Sequence, residues 1–204
     1  MAQLKPTRQE YLKLKKKVKT ASRGHRLLKD KRDGLIQKFL GIVKEAILLR
    51  KELDQPLVRA IELFRYAEAK TSEAFLASIA EQSEAQVQLK LETSNFMGVH
   101  LPALEAKVVG DPFTYGVLNT PKDLDNSLVT LHEILPKLVR LAELEYTARK
   151  LAEEIEKTRR RVNALEYVII PEMKTDMSYI QGVLEERSRQ EKVTIMKVKE
   201  LLDL

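Results

Sequence analysis

The segment Lys157-Thr158-Arg159-Arg160-Arg161 loads four cations into five residues beside an apolar stripe. The stripe passes through Thr158 and Val162, so the arginines between them turn mostly outward. A helix needs an apolar face to bury; it does not need three consecutive guanidinium groups. Cations gathered in this way attract an acidic partner: nucleic acid, a membrane surface or a protein. The plainer reading is that some of them only cap or pair within their own helices. A second run, Lys13-Leu14-Lys15-Lys16-Lys17-Val18-Lys19, has no aromatic residue on which a base could stack, though it could neutralise phosphates without sequence preference. Residues 1–32 hold twelve Lys or Arg against two acids, Glu10 and Asp30, in a chain of net charge +6.

No other chemistry is indicated. His25, His100 and His132 are far apart, lack the HExxH spacing and have no cysteine partners, so no metal site is expected. His25 falls on an apolar seam and reads as a structural histidine, and His132-Glu133 as a surface pair. The seven glycines form neither GxxxxGK[ST] nor GxGxxG, and no nucleophile stands with a base. Neither catalysis nor a cofactor is expected. The absence of cysteine removes disulfides and thiolate metal sites. No apolar run approaches the roughly 18–20 residues that span a bilayer, and the first residues lack the apolar core of a signal peptide. A cytosolic chain without direct membrane insertion is expected.

The elements that carry these residues follow from periodicity. Leu14, Ala21, Leu28, Leu35, Ile42 and Leu49 recur every seven residues; Val18, His25, Arg32, Phe39, Ala46 and Leu53 follow at an offset of four. Such order places one seam along a helix of about 45 residues or more. Pro6 and Thr7 mark its start, and Pro56 is placed to kink it. Gly24, Gly34 and Gly41 inside it point either to close backbone approach or to local softness. Gln86-Val87-Gln88-Leu89-Lys90-Leu91-Glu92 alternates with period two and predicts a strand, with partners among Val99, Leu101 and 103–109. Gly98, Pro102, Gly110-Asp111-Pro112 and Gly116 are turn residues, and an irregular loop to Asn119 follows.

Thr120-Pro121-Lys122-Asp123 opens a second long helix. Its leucine row from Leu124 continues through Ile155, Thr158, Val162, Leu165 and Ile169 to Met173, Met177, Ile180 and Leu184. The four-residue steps from Leu165 to Met177 form a stutter, which unwinds a left-handed supercoil locally. Pro136 and Pro171 are placed to kink this helix. Two long seams joined by a small middle element bury each other only by folding back. The predicted fold is mainly α: a long antiparallel two-helix coiled coil with a small β-hairpin in the middle of the chain, at or near one end of the coil. Residues 1–78 form the first helix, 79–120 the hairpin and loop, and 121–204 the second helix. Composition agrees, since 105 of the 204 residues are Ala, Glu, Lys, Leu or Arg.

Three segments carry a family resemblance: Pro6-Thr7-Arg8, the stretch 23–33 (RGHRLLKDKRD) and the stretch 156–171 (EKTRRRVNALEYVIIP). In sequence, order and separation they resemble the central-stalk D subunit of V-type and A-type rotary ATPases. Residues 78–120 resemble that family in layout alone. The resemblance implies a non-catalytic rotor shaft that carries torque between an ATP-hydrolysing or ATP-synthesising head and a membrane rotor ring that moves protons or sodium ions. It implies three sets of partners: the stalk F subunit, the catalytic and nucleotide-binding subunits of the hexameric head, and a funnel-like subunit on the ring. It also implies a cytoplasmic place at the inner face of the membrane, and a hairpin concerned with control of ATPase activity. Lys16, Lys17, Lys157, Arg159, Arg160 and Arg161 then become candidate contacts with the stator head. The coil seam is assigned to Leu14, Val18, Ala21, His25, Leu28, Leu35, Phe39, Ile42, Leu49, Ile155, Val162, Leu165 and Ile169. Residues 35–55 with 140–155 are the candidate seat for the F subunit. The competing reading is a basic coiled-coil adaptor or non-specific nucleic-acid-binding rod, which the lack of aromatics disfavours.

Overall fold

The structure, a computed structural model, describes residues 5–82, 85–110, 113, 115 and 120–202. In chain order it forms α1 (Arg8–Lys70), α2 (Glu73–Gln82), β1 (Gln86–Phe96), β2 (Val99–Val109), α3 (Lys122–Ala164), a π-helical turn (Leu165–Ile169) and α4 (Ile170–Leu202). Long helices with a central two-stranded hairpin are the fold that the periodicity predicts. The chain divides into two compact units: Leu35–Glu154, and the chain up to Gly34 together with that from Ile155 onward.

In the unit of 35–154, α1 and α3 run antiparallel. Glu45 meets Arg140, Glu52 meets Lys137, Ala60 meets Ser127 and Lys70 meets Asp123, so the α3 number falls as the α1 number rises. Leu35, Ile42, Leu53, Ala60 and Ala67 of α1 are buried, as are Leu124, Ile134, Leu144 and Leu151 of α3. Burying a Leu or Ile side chain contributes about 1.5–3 kcal/mol, so this row is what holds the pair together. α1 continues unbroken through Pro56, and α3 through Pro136.

The first helix does not reach residue 78. It stops at Lys70, and after Thr71 and Ser72 the chain turns into α2. The reason lies in the small core formed by Ala67, Ile79, Tyr115 and Leu124, with Phe75, Leu76 and Leu128 packed on it. A straight helix could not bring both Ala67 and Ile79, twelve residues apart and about 18 Å along its axis, onto that one cluster. The Ser72 carbonyl starts the new helix by accepting the N–H groups of Phe75 and Leu76.

β1 and β2 pair antiparallel from Gln86↔Val109 to Phe96↔Val99. The strand exceeds the alternating run by four residues, because the polar 93–95 stretch continues the ladder without any apolar rhythm. Met97 and Gly98 make the turn with φ of 51° and 83°. Positive φ at both central positions is the turn whose twist matches a two-residue hairpin. The Gly98 N–H donates to Asn95 Oδ1 at 2.9 Å, fixing it further. Asp111, Pro112, Gly116 and Asn119 lie outside the described residues.

The second unit packs the start of α1 on the π turn and α4. Thr7 Oγ1 accepts the N–H of Glu10, capping α1. The Pro6 carbonyl accepts from Arg187, Tyr11 donates to Gln181, and His25 meets Glu166. These pairs set an antiparallel register here too. Gly24 and Gly41 have nothing within 4 Å of where a Cβ would stand. Close approach of this chain's own backbone is therefore not why glycine occupies these two positions, and each costs about 1 kcal/mol of helix stability against Ala.

Candidate functional site

The cationic run lies on the last turns of α3, within the unit of 5–34 and 155–202. Thr158 and Val162 are each 1% exposed and face the seam. Lys157, Arg159, Arg160 and Arg161 are all exposed. Arg160 pairs with Glu156 on its own helix at 3.7 Å, while Lys157, Arg159 and Arg161 have no ion-pair partner among the described residues. A single surface pair of this kind contributes about 0.3–0.5 kcal/mol. The run is therefore not held in place by the fold. The Arg159 and Arg161 guanidinium groups have no carboxylate partner among the described residues, and a guanidinium can grip a carboxylate with two parallel hydrogen bonds.

The local register places more cations level with this run. His25 opposite Glu166 and Tyr11 opposite Gln181 set Lys31, Arg32 and Asp33 near the height of Arg159–161. Arg32, on the seam by its heptad phase, is half-buried and pairs with its neighbour Asp33 at 2.9 Å. Lys16 and Lys17 are exposed but fall opposite the stretch around 175. That is about fifteen residues from Arg160, or roughly 20 Å along the helix. The six candidate cations thus form two groups rather than one.

Below the run the helix changes type. The Ile170 N–H donates to the carbonyl of Leu165, a five-residue step that defines the π turn. Pro171 has no N–H to give the Tyr167 carbonyl, and its ring crowds that carbonyl, so the ladder loosens just before it. The inserted residue changes which side chains face inward. Ile169, expected in the seam, is 40% exposed, and the half-buried Ile170 takes its place. The stutter in the sequence is met by this single turn. It also leaves Tyr167 and Val168 exposed, beside the arginines in sequence. Glu166, at the head of the turn, reaches across to His25 Nε2 at 3.3 Å and ties the turn to α1.

Of the other seam assignments, Leu35 and Ile42 are buried. Leu14, Val18, Ala21, His25, Leu28, Phe39, Leu49, Ile155 and Leu165 are half-buried. Pattern reading missed Tyr167, Val168 and the partnership of Glu166; four-residue steps followed by Pro171 were the available signal. It missed Glu143 entirely, which is 8% exposed and carries the hairpin contact described below. Among the described residues no three His, Cys, Asp or Glu lie together as a metal site. No described helix is long and apolar enough to cross a membrane.

Known proteins resemble this chain along nearly its whole length. The profile of the ATP synthase D subunit matches residues 10–200. The V-type ATP synthase D subunit of Thermoanaerobacter sp. (strain X514) is 41% identical over 208 aligned positions, spanning 99% of this chain and 98% of the relative. The A-type ATP synthase D subunit of Thermococcus sibiricus is 41% identical over 203, spanning 98% and 95%. The V-type ATP synthase D subunit of Clostridium botulinum (strain ATCC 19397 / Type A) is 40% identical over 203, spanning 97% and 94%.

Proposed function

The chain belongs to the family of ATP synthase D subunits, and we propose that it is the non-catalytic central-stalk shaft of a V/A-type rotary ATPase. It carries torque between the catalytic head and the membrane ring. The observation that supports this most directly is the family match along nearly the whole chain, joined to an exposed cationic run in which, among the described residues, Arg160 alone has an ion pair.

A shaft must be stiff, and it must pass several similar stator positions without locking in one. Packed seams supply stiffness. Exposed charges suit the second need, because exposed ion pairs are worth only about 0–1 kcal/mol each and are readily exchanged. Lys157, Arg159, Arg160 and Arg161 are the proposed contacts with acidic loops of the head, and Lys16 and Lys17 a second set at another height. The head's catalytic and nucleotide-binding subunits would supply those loops. The stalk F subunit would seat on the region 35–55 with 140–155, where Leu40, Ile47 and Leu48 of α1 and Tyr146 of α3 are exposed apolar residues. The funnel-like subunit on the membrane ring would hold the shaft at the cytoplasmic, inner face of the membrane. The hairpin would act on ATPase control rather than on folding.

Reconstitution tests the reading. Head and stalk partner are assembled with and without this chain, and ATPase activity and its coupling to ion movement are measured. Coupling that requires the chain is the expected result. Full coupling without it would overturn the shaft reading. Specific co-purification with an ATPase head, against mere salt-sensitive retention on DNA, separates the shaft from a basic nucleic-acid-binding rod.

A further inference from the structure

The hairpin has no core of its own. Every residue of β1 before Phe96 is exposed. A lone two-stranded hairpin is marginal in water, so its place in the unit depends on what β2 and the turn end touch. Leu101 is buried, and the Phe96 ring lies under Lys38 Nζ at 5.9 Å. The directional contact is a third one: the Leu104 N–H donates to Glu143 Oε2 at 3.1 Å.

Leu104 stands opposite Leu91 at a position whose N–H points off the outer edge of β2, as every second N–H of an antiparallel strand does, and that N–H is the one Glu143 takes. Pro102, two residues earlier on the same edge, has no N–H to offer there. Glu143 therefore caps a strand-edge donor with a nearly buried carboxylate. Its other oxygen accepts from Arg140 Nη1 at 2.6 Å, and Arg140 Nη2 reaches Glu45 Oε1 on α1 at 2.9 Å. A carboxylate this buried is tolerated because Arg140 balances its charge and both its oxygens are bonded.

We propose that Glu143 is the positioning residue of the hairpin: a carboxylate latch, held by Arg140 and Glu45, that keeps β2 on α3 and, when broken, releases the hairpin without unfolding the helices. Its consequence for the head rests on the reading of the hairpin as a control element.

Because the chain has no cysteine, spin labels can be placed cleanly on introduced ones. One pair, Lys90→Cys with Glu133→Cys, reports the hairpin against α3. A control pair, Lys51→Cys with Arg149→Cys, reports α1 against α3. In the full-length chain, Glu143→Ala should add a second, longer distance to the hairpin pair alone, the undocked fraction rising about tenfold or more. Glu143→Gln, which keeps an accepting oxygen, should fall between it and the parent. An unchanged hairpin distance in Glu143→Ala, or a change in both pairs together, would overturn the latch. In the reconstituted head and stalk, Glu143→Ala should alter the ATPase rate. A displaced hairpin with an unaltered rate would support the latch and overturn the control reading.

Discussion

Arg140 and Arg160 lie on the same helix and differ in every contact they make. Arg140 bonds Glu45 on α1 and Glu143 on its own helix. Its pKa is raised above the ordinary arginine value, chiefly by the hydrogen bond to Glu45 and then by the charge and hydrogen bond of Glu143, with partial burial opposing. Arg160 has only Glu156, at 3.7 Å, and its two arginine neighbours have no ion pair among the described residues. The hydroxyls repeat the contrast. Ser127 Oγ donates to the Ala60 carbonyl at 2.8 Å, whereas Thr158 Oγ1, just as buried, has no hydrogen-bond partner among the described residues. Arg140 and Ser127 thus tie α3 to α1 in the 35–154 unit. Farther along the helix Lys157, Arg159 and Arg161 have no ion pair, and the Thr158 hydroxyl no hydrogen bond, among the described residues; the unbonded hydroxyl costs stability, and the exposed cations suit the proposed contact with an outside partner.

Arg140→Ala should break that contrast most. It leaves Glu143 nearly buried without its cation and removes the tie to Glu45. The expected loss is about 2 kcal/mol, discounted for the half-exposed guanidinium, which lowers Tm by about 4–8 °C in a chain this long. Thermal melting by circular dichroism checks it; a Tm unchanged within 1 °C, about the error of the melt, would put Arg140 in the same class as Arg160. Next come the hydroxyls, with opposite signs. Ser127→Ala should cost about 1 kcal/mol, because the Ala60 carbonyl loses its added donor. Thr158→Val should stabilise by about 1 kcal/mol, because a buried, unbonded hydroxyl becomes a methyl of the same shape. Matching shifts of Tm in the same direction would mean that the two sites are not distinguished by bonding at all.

How far this contrast could be read beforehand depends on what sets it. The seam was legible because burial repeats at fixed spacing, so Leu35, Ile42 and Val162 face inward as the heptads require. The hairpin was legible from alternation and from Gly98. The end of α1 at Lys70 was not, since it follows from a long-range core of Ala67, Ile79 and Tyr115 and no strong helix stop marks it. Ile169 was misplaced because a π turn shifts the phase by one residue, and periodicity alone reads the same four-residue steps as a smooth stutter. The outward arginines followed from phase. The latch at Glu143 did not, because an acid beside a leucine row looks like any solvated flank until a strand edge is brought against it.

The smallest effect on stability is expected where the effect on function should be large. Changing Arg159, Arg160 and Arg161 together to Gln removes one helical pair worth about 0.3–0.5 kcal/mol and lowers the net charge by three, from +6 to +3. Gln is a good helix former, and none of the three side chains is buried, so stability should stay within about 0.5 kcal/mol of the parent. Affinity for the catalytic head should fall and lose part of its salt dependence, since at 0.15 M salt charges are screened beyond about 8 Å and only close cations contribute. Head binding measured against salt, beside melting of the isolated chain, separates the two effects. If the melt shifts by several degrees while head affinity per folded molecule holds, the arginines belong with Arg140 as internal ties, and the division of α3 into a holding part and an offered part fails.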